Sequence, residues 1–401
     1  MIVADVLLFH DDQLEVACPA AGLVIGDLRR QGVIAAKGPV RFPDSAKDVK
    51  SFAAMIPSGI TPSGIGLVAQ SGDRHLQHIA GATLARWLAV TGPRRLLLAS
   101  PRSFCAGVER AIEVVQRLLD KHGAPVYVRK QIVHNKHVVA GLEALGAVFV
   151  DELDEVPEGA VTVFSAHGVS PAVRADAVQR RLDVVDATCP LVAKVHSEAV
   201  RYVARGDTVV LIGHSGHAES EGTLGEAPGR IVLVENEQDA EHLVVEDPER
   251  VSYVVQTTLS VEETTRVSDA LRKNLPAVRG LGVEDICYAT TNRQEALRAV
   301  ATQADLVLVV GSRNSSNSRQ LVERAKRLGT PSHLIDDVGD IRPEWLAGAD
   351  SIGLSAGASA PPQLVHEVVT ALAGLGPVTV TEHEHTREDI TFHLPAALRS
   401  S

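Results

Sequence analysis

Short apolar runs recur along this chain. Each is followed by a glycine-, serine- or histidine-bearing stretch, and then by apolar positions three and four residues apart. Residues 96–98, 126–128, 148–150, 161–164, 209–212, 253–256, 306–310 and 351–354 are largely apolar and of strand length. After the first run the spacing turns helical, through Ile112, Val114, Val115, Leu118 and Leu119. Strands alternating with helices predict an α/β chain with parallel sheets. Before residue 93 the pattern is weaker. Residues 20–31 and 75–90 read as helices, and 56–66 (IPSGITPSGIG) reads as a Gly/Pro/Ser loop. That segment shows no catalytic constellation, and Cys18 reads as a buried thiol.

Three of the four cysteines occupy the same place in this alternation. Cys105 follows the run at 96–98, Cys189 follows 184–188 and Cys287 follows 283–286. Helices are expected behind them, from about 107, over 191–205 and over 292–303. The polar loops keep register as well. His134, His217 and Ser316 come 29, 28 and 29 residues after their cysteines; His167, Thr258 and Ser359 come 62, 69 and 72 residues after. This is an internal repeat of αβ units too diverged to show as identity. Parallel sheets carry ligand groups at the carboxyl ends of their strands. Three such sheets turned inward bring three thiols and six polar loops to one cavity. A cysteine opening a helix meets free N–H groups and the positive end of the helix dipole, which favour the thiolate.

Composition narrows the class. A chain of 401 residues with 45% hydrophobic and 22% charged residues is globular, with length for two or three domains. A net charge of -11 with 3% aromatic residues argues against nucleic-acid binding. No apolar run approaches the ~20 residues of a membrane span. The first residues carry no basic region and soon meet Asp11 and Asp12, so no secretory leader is expected. Four cysteines are too few for a disulfide framework, and the expected location is cytoplasmic.

Three thiolates from three units suit zinc or an iron–sulfur cluster. Structural zinc usually draws on close Cys pairs such as CxxC, which this chain lacks. Soft thiolates also select iron–sulfur clusters, and three of them leave one iron of a cubane without a protein thiolate. Such an iron suits reductive removal of a hydroxyl. The plain alternative is three buried cysteines behind core strands, and their common register argues against it. The loops are rich in donors for an anion: His134, His167, His217, Ser315, Ser316, Asn317 and Ser359. Neither GxxxxGK[ST] nor GxGxxG sits at a strand-to-helix junction, so an ordinary nucleotide site is not expected. Glu219, in a glycine-rich loop, is placed to protonate a leaving hydroxyl, with Thr257 or Thr258 to relay that proton. Glu221 reads as a surface or capping carboxylate. A zinc hydrolase would also use Glu219. An iron–sulfur sensor would not need His134, Ser315, Asn317 and Glu219 together.

The stretches PRSFCAGVERAI, VHNKHVV, SAHGVSP, DATCPLVAKVH, GHSGHAESEGT, QTTLS, DICYATTNRQ, VGSRNSSNSRQL and SAGASAPP, in this order, resemble the 4-hydroxy-3-methylbut-2-enyl diphosphate reductase (IspH/LytB) family over about residues 94–395. The resemblance implies a trefoil of three αβ subdomains around a [4Fe–4S] cluster. Cys105, Cys189 and Cys287 would be its ligands, with one iron open. It implies that His134, His167, His217, Ser315, Ser316, Asn317 and Ser359 hold the substrate diphosphate. Glu219 would deliver the proton, with Thr257 beside the substrate hydroxyl. The implied reaction consumes two electrons, from a ferredoxin or flavodoxin, and two protons. It releases water and gives isopentenyl or dimethylallyl diphosphate, the last step of the non-mevalonate isoprenoid route. The division implied is an extension at 1–92 and a reductase domain at 93–401. Its subdomains would run over about 106–189, 190–286 and 287–383, with the strand at 94–105 joining the third. Three positions depart from the family pattern. Ser103 replaces a usual glycine, Ala218 a usual proline, and His137 a common aromatic residue.

Overall fold

The computed structural model describes residues 1–9, 14–43, 48–57 and 62–399. The chain opens with β1 (Ile2–Phe9), β2 (Leu14–Ala17), α1 (Ala21–Arg30), β3 (Ala36–Phe42), β4 (Val49–Ile56), β5 (Ser63–Gln70) and α2 (Arg74–Leu88). Here β1 pairs antiparallel with β2 and β5 and parallel with β3, while β4 closes the other edge on β5.

The first αβ unit follows β6 (Arg94–Ser100). It comprises α3 (Ala106–His122), β7 (Val126–Arg129), α4 (Lys136–Ala144), β8 (Ala147–Val150), β9 (Val161–Phe164), α5 (Pro171–Gln179) and β10 (Asp183–Asp186). The second has α6 (Pro190–Ala204), β11 (Thr208–Ile212), α7 (Ala218–Leu224), β12 (Ile231–Val234), α8 (Glu237–His242), β13 (Val251–Val255), α9 (Val261–Asn274) and β14 (Arg279–Gly280). The third has α10 (Tyr288–Ala301), β15 (Leu306–Val310), α11 (Ser316–Arg327), β16 (Ser332–Ile335), α12 (Pro343–Leu346), β17 (Ser351–Ala356), α13 (Pro362–Ala373) and β18 (Val378–Glu384).

Their sheets are parallel throughout, in the orders β10-β9-β7-β8, β12-β11-β13-β14 and β16-β15-β17-β6-β18. Thus β6, at the start of this region, is spliced between β17 and β18, with Leu96 opposite both Ile352 and Val380. Strands β13, β15 and β17 are buried along their whole length, because helices cover both faces of a parallel sheet. The result is an α/β trefoil: three parallel αβ units whose strand ends meet at one cavity.

Three local expectations need correction. The run before Cys287 is a 3₁₀ turn, Gly282–Asp285, after the two-residue strand β14. The helix expected at 292–303 starts four residues earlier, directly after Cys287. Within 56–66, residues 58–61 lie outside the described residues, and Ser63 to Gly66 already belong to β5. There Ser63 and the small glycines fit a strand because β4 pairs along it through Ile56↔Ser63.

The extension does not hang free. Leu23, Leu28, Ile65 and Trp87 share one hydrophobic core with Leu308, Leu354, Leu364 and Leu372 of the third unit. Gly26 of α1 lies directly on the backbone of Gly339, and a side chain there would overlap it. Arg30 donates to the Gly339 carbonyl and, at 3.1 Å, to that of Ile341. The tail is a strap rather than a loose end. His385 N donates to Ser100 O at 2.8 Å, Arg110 Nε donates to His393 O at 2.8 Å, and Leu394 and Leu398 pack into the core of the first unit.

Candidate active site

Each of the three cysteines is the N-cap residue of a helix: Cys105 of α3, Cys189 of α6 and Cys287 of α10. The repeat seen in the sequence is therefore a repeat of helix starts. Their backbones close a ring. Cys189 N donates to Ala166 O at 3.0 Å, Cys287 N to Thr257 O at 2.9 Å, and Cys105 N to Ala358 O at 3.2 Å. Each cysteine is thus tied to the second polar loop of the preceding unit, beside His167, at Thr257 and beside Ser359. The cycle closes because β6 belongs to the third sheet.

The three thiols line one cavity of about 100 Å³ together with His134, His167, His217, Glu219, Thr257, Thr258, Ser315, Ser316, Asn317 and Ser359. All the site residues read from the sequence meet there. Two roomier grooves, of about 720 and 550 Å³, contain none of them. Glu221 is exposed, on the outer side of α7.

The thiols do not behave as a helix start alone would suggest. Backbone N–H groups of Gly107 and Val108 lower the Cys105 pKa, but burial outweighs them and raises it. Cys189 is pushed up to about 11 and Cys287 higher still, by burial first and then by neighbouring thiols. Gly107 allows this crowding, since a Cβ there would meet Cys189 Sγ at 2.8 Å. Three buried thiolates repel one another unless a cationic group lies between them. No set of three or more His, Cys, Asp or Glu residues, among the described residues, is arranged to hold a single metal ion. Three cysteine sulfurs facing one cavity are soft donors that could hold a metal group.

The histidines form a tight cluster. His134 and His167 stack with centroids 4.0 Å apart, and His217 stands edge-on to both at 5.1 and 5.9 Å. Burial above all keeps them neutral: His134 is lowered to about 4, with the Arg319 charge adding to burial, His217 to about 3, with His134, His214 and Arg319 adding to it, and His167 well below its ordinary value, with its two histidine neighbours adding to it. His217 Nδ1 accepts from Glu219 N at 3.2 Å, so the ring's proton resides on Nε2. Ser315 caps α11 and accepts from Ser318 N at 3.3 Å. Ser359 Oγ donates to His134 O at 3.0 Å. Ser316 Oγ and Asn317 Nδ2 are buried without a partner among the described residues. Unpaired buried donors beside neutral imidazole N–H groups and a helix start form a receptor for a polyanion.

Glu219 is 2% exposed, and burial raises its pKa to about 7 against the opposing hydrogen bonds from Thr257. Thr257 N donates to Oε1 at 2.6 Å and Thr257 Oγ1 to Oε2 at 3.0 Å. The backbone donor fixes Oε1 as an acceptor, so the acid proton belongs on Oε2, beside the threonine hydroxyl. The Thr257 peptide therefore joins the acid to Cys287.

Sequence reasoning missed two residues. Thr290 lines the cavity and donates to Thr257 O at 3.3 Å. Arg293, fully buried, donates to Ser103 O and Phe104 O, pairs with Glu388 at 2.9 Å and lowers the Cys105 pKa. Both lie in the motif DICYATTNRQ, but nothing local marks an arginine as buried. Ser103 adopts φ 64°, the left-handed region where glycine is favoured, which explains the family's usual residue. Ala218 opens α7 as its first residue, the position where proline fits a helix start. His137 Nε2 lies 3.5 Å from Asp337 Oδ2, outside the cavity.

Residues 96–373 match the family model described as LytB protein. The chain is 59% identical over 314 residues to 4-hydroxy-3-methylbut-2-enyl diphosphate reductase 1 of Mycobacterium tuberculosis, covering 77% of this chain and 95% of that protein. It is 55% identical over 309 residues to the corresponding reductase of Hahella chejuensis, covering 76% and 98%. The structure of the E-1-hydroxy-2-methyl-but-2-enyl-4-diphosphate reductase from Plasmodium falciparum superposes with a TM-score of 0.73 at 36% identity, over 76% of this chain and 97% of that one.

Proposed function

The chain belongs to the LytB family, and from that premise we propose that the central cavity is where it reduces 4-hydroxy-3-methylbut-2-enyl diphosphate. The protein is a reductase of the non-mevalonate isoprenoid pathway, acting at its terminal step. Isopentenyl and dimethylallyl diphosphate are its products, formed with two electrons and two protons while the substrate hydroxyl departs as water. The observation that carries the assignment of the site is the convergence of three helix-capping thiols, a neutral histidine cluster and one raised carboxyl on a single cavity.

Cys105, Cys189 and Cys287 would hold a [4Fe–4S] cluster, which when bound supplies electrons and a Lewis-acidic iron. Crowded, buried, mutually repelling thiols fit such a group. The chain's own residues do the rest. His217 Nε2, Ser316 Oγ and Asn317 Nδ2 donate to the diphosphate, with Ser315, Ser359, His134 and His167 completing the wall. A bound polyanion offsets the cost of leaving those donors buried. Glu219, with a pKa of about 7, carries its proton at neutral pH in a large share of molecules and transfers it from Oε2 to the leaving hydroxyl. Thr257 orients both carboxyl oxygens. The electron donor is a ferredoxin or flavodoxin. Residues 1–92 act as an extension that buttresses the third unit through their shared core.

Anaerobic purification followed by turnover with a reduced viologen and measurement of iron and sulfide tests this reading. A brown protein with about four irons per chain that consumes the hydroxylated diphosphate is expected. A colourless, zinc-loaded protein without turnover would sink it.

A further inference from the structure

The cavity has a second, outer compartment. Ser316 lines both the cavity and an adjoining groove of about 520 Å³. Arg313, Arg319 and Lys326 line that groove, with His214 on its wall. Lys326 is paired with Glu323 at 2.9 Å, and His214 lies 3.2 Å from Glu263. Arg313 and Arg319 are exposed, and neither guanidinium has a hydrogen-bond or ion-pair partner among the described residues.

Their position is unfavourable for the empty protein. Arg319 sits in the first turn of α11, where the helix dipole is positive and a cation is repelled. It is close enough to His134 and His217 for its charge to lower the pKa of both. Arg313 precedes the loop that begins the same helix. The molecule as a whole carries a net charge of -11 and repels a polyanion at long range. Two unpaired guanidinium groups beside buried, unpartnered donors reverse that repulsion locally, within about 10 Å, the screening length at 0.1 M salt.

We propose that Arg313 and Arg319 form a cationic vestibule that captures the substrate's diphosphate from solution and delivers it past Ser316 into the cavity. The proposal rests on the reading of the cavity as a diphosphate site. It assigns these arginines to capture rather than to the chemical step. Their charge acts on the encounter, before the substrate reaches Glu219. Removing it lowers kcat/KM and its dependence on salt while sparing kcat. Electrostatic focusing of this kind raises encounter rates by about 10–10³-fold.

The test uses the anaerobic holoenzyme, the double variant Arg313→Gln/Arg319→Gln, and Lys121→Gln as a control. Lys121 is exposed in the last turn of α3, at the far end from Cys105. Binding of inorganic diphosphate is measured by calorimetry, and kcat/KM is measured with a reduced viologen and again with a reduced ferredoxin, all from low to high salt. The expected result is binding and kcat/KM about tenfold weaker in the double variant at low salt, with a flatter salt dependence and the control unchanged. If the parent binds diphosphate and the double variant binds it equally with the same salt slope, the vestibule is overturned. If the parent itself does not bind diphosphate, the underlying reading of the cavity fails. A loss seen only with a protein electron donor, and not with viologen, also overturns the proposal and makes the groove a docking surface for an acidic protein.

Discussion

Two residues carry conflicts that the surrounding structure tolerates. Ser103 holds a left-handed backbone just before Cys105, and its hydroxyl is buried without a partner. Ser103→Gly removes both costs, and we expect a gain of about 1 kcal/mol in urea unfolding. No gain would mean that the turn is not strained by its side chain. Glu219 is held in a site that prefers it neutral, its pKa rising from 4.5 to about 7. Unfolded, this carboxyl ionises above pH 4.5; folded, it keeps its proton up to about 7. Its contribution against folding therefore grows as pH rises from 4.5 to 7 and then stays level. Glu219→Gln is expected to be more stable than the parent at pH 7, by about 2 kcal/mol, with a smaller difference at pH 5. The same variant should lose turnover, and the parent's own turnover should fall on the alkaline side of pH 7. An active Glu219→Gln would remove the glutamate from the proton path. The candidates at this scale were legible because a cysteine, a histidine or a glutamate declares its chemistry. The stacking of His134 on His167 was not, since these residues lie 33 apart in the chain.

The elements that matter are short joints between strands and helices. The alternation of apolar runs and helical spacing marked them well, with Val161–Phe164 and Leu306–Val310 found at the expected bounds. It misjudged the approach to Cys287, where apolar Val283 and Ile286 flank a 3₁₀ turn. There Gly282 at φ 61° and the contacts with Tyr253 outweigh strand propensity. Helix α10 also starts directly after Cys287, and its Arg293 reaches across to the carbonyls of Ser103 and Phe104. That guanidinium locks the first cysteine loop onto the third cysteine's helix and meets Glu388 of the tail. Arg293→Met removes the ion-pair partner of Glu388, leaving it only the Asn292 amide, and takes the guanidinium donors from the carbonyls of Ser103 and Phe104. Loss of about 3–5 kcal/mol is expected in denaturant unfolding, together with poor retention of iron. A variant that unfolds at the parent's denaturant midpoint would show that the clamp is ornamental.

At the scale of the whole molecule, closure of the trefoil depends on β6, which leaves the first unit to sit between β17 and β18. That splice lets Cys105 bond to Ala358 and completes the ring of three cysteine–loop hydrogen bonds. The extension keeps its own sheet but is packed onto the third unit, since Leu23 and Trp87 share a core with Leu354 and Leu372. Gly26 against Gly339 is the closest point of that joint, and Gly26→Ala should destabilise the protein by about 1–3 kcal/mol within one cooperative transition. Two separate melting transitions would mean that the extension folds on its own. Among the described residues no helix is long and apolar enough to cross a membrane. By itself the sequence determined the α/β class and the three repeated units, and it marked the cysteines, polar loops and Glu219 that line the cavity. Those follow from periodicity and residue chemistry, which act over a few neighbours in the chain. Only the tertiary structure decided that the extension shares a core with the third unit, that Arg293 is buried, that the histidines are neutral and that burial raises the thiols. Those properties arise from desolvation and packing between segments tens to hundreds of residues apart, and no local pattern records them.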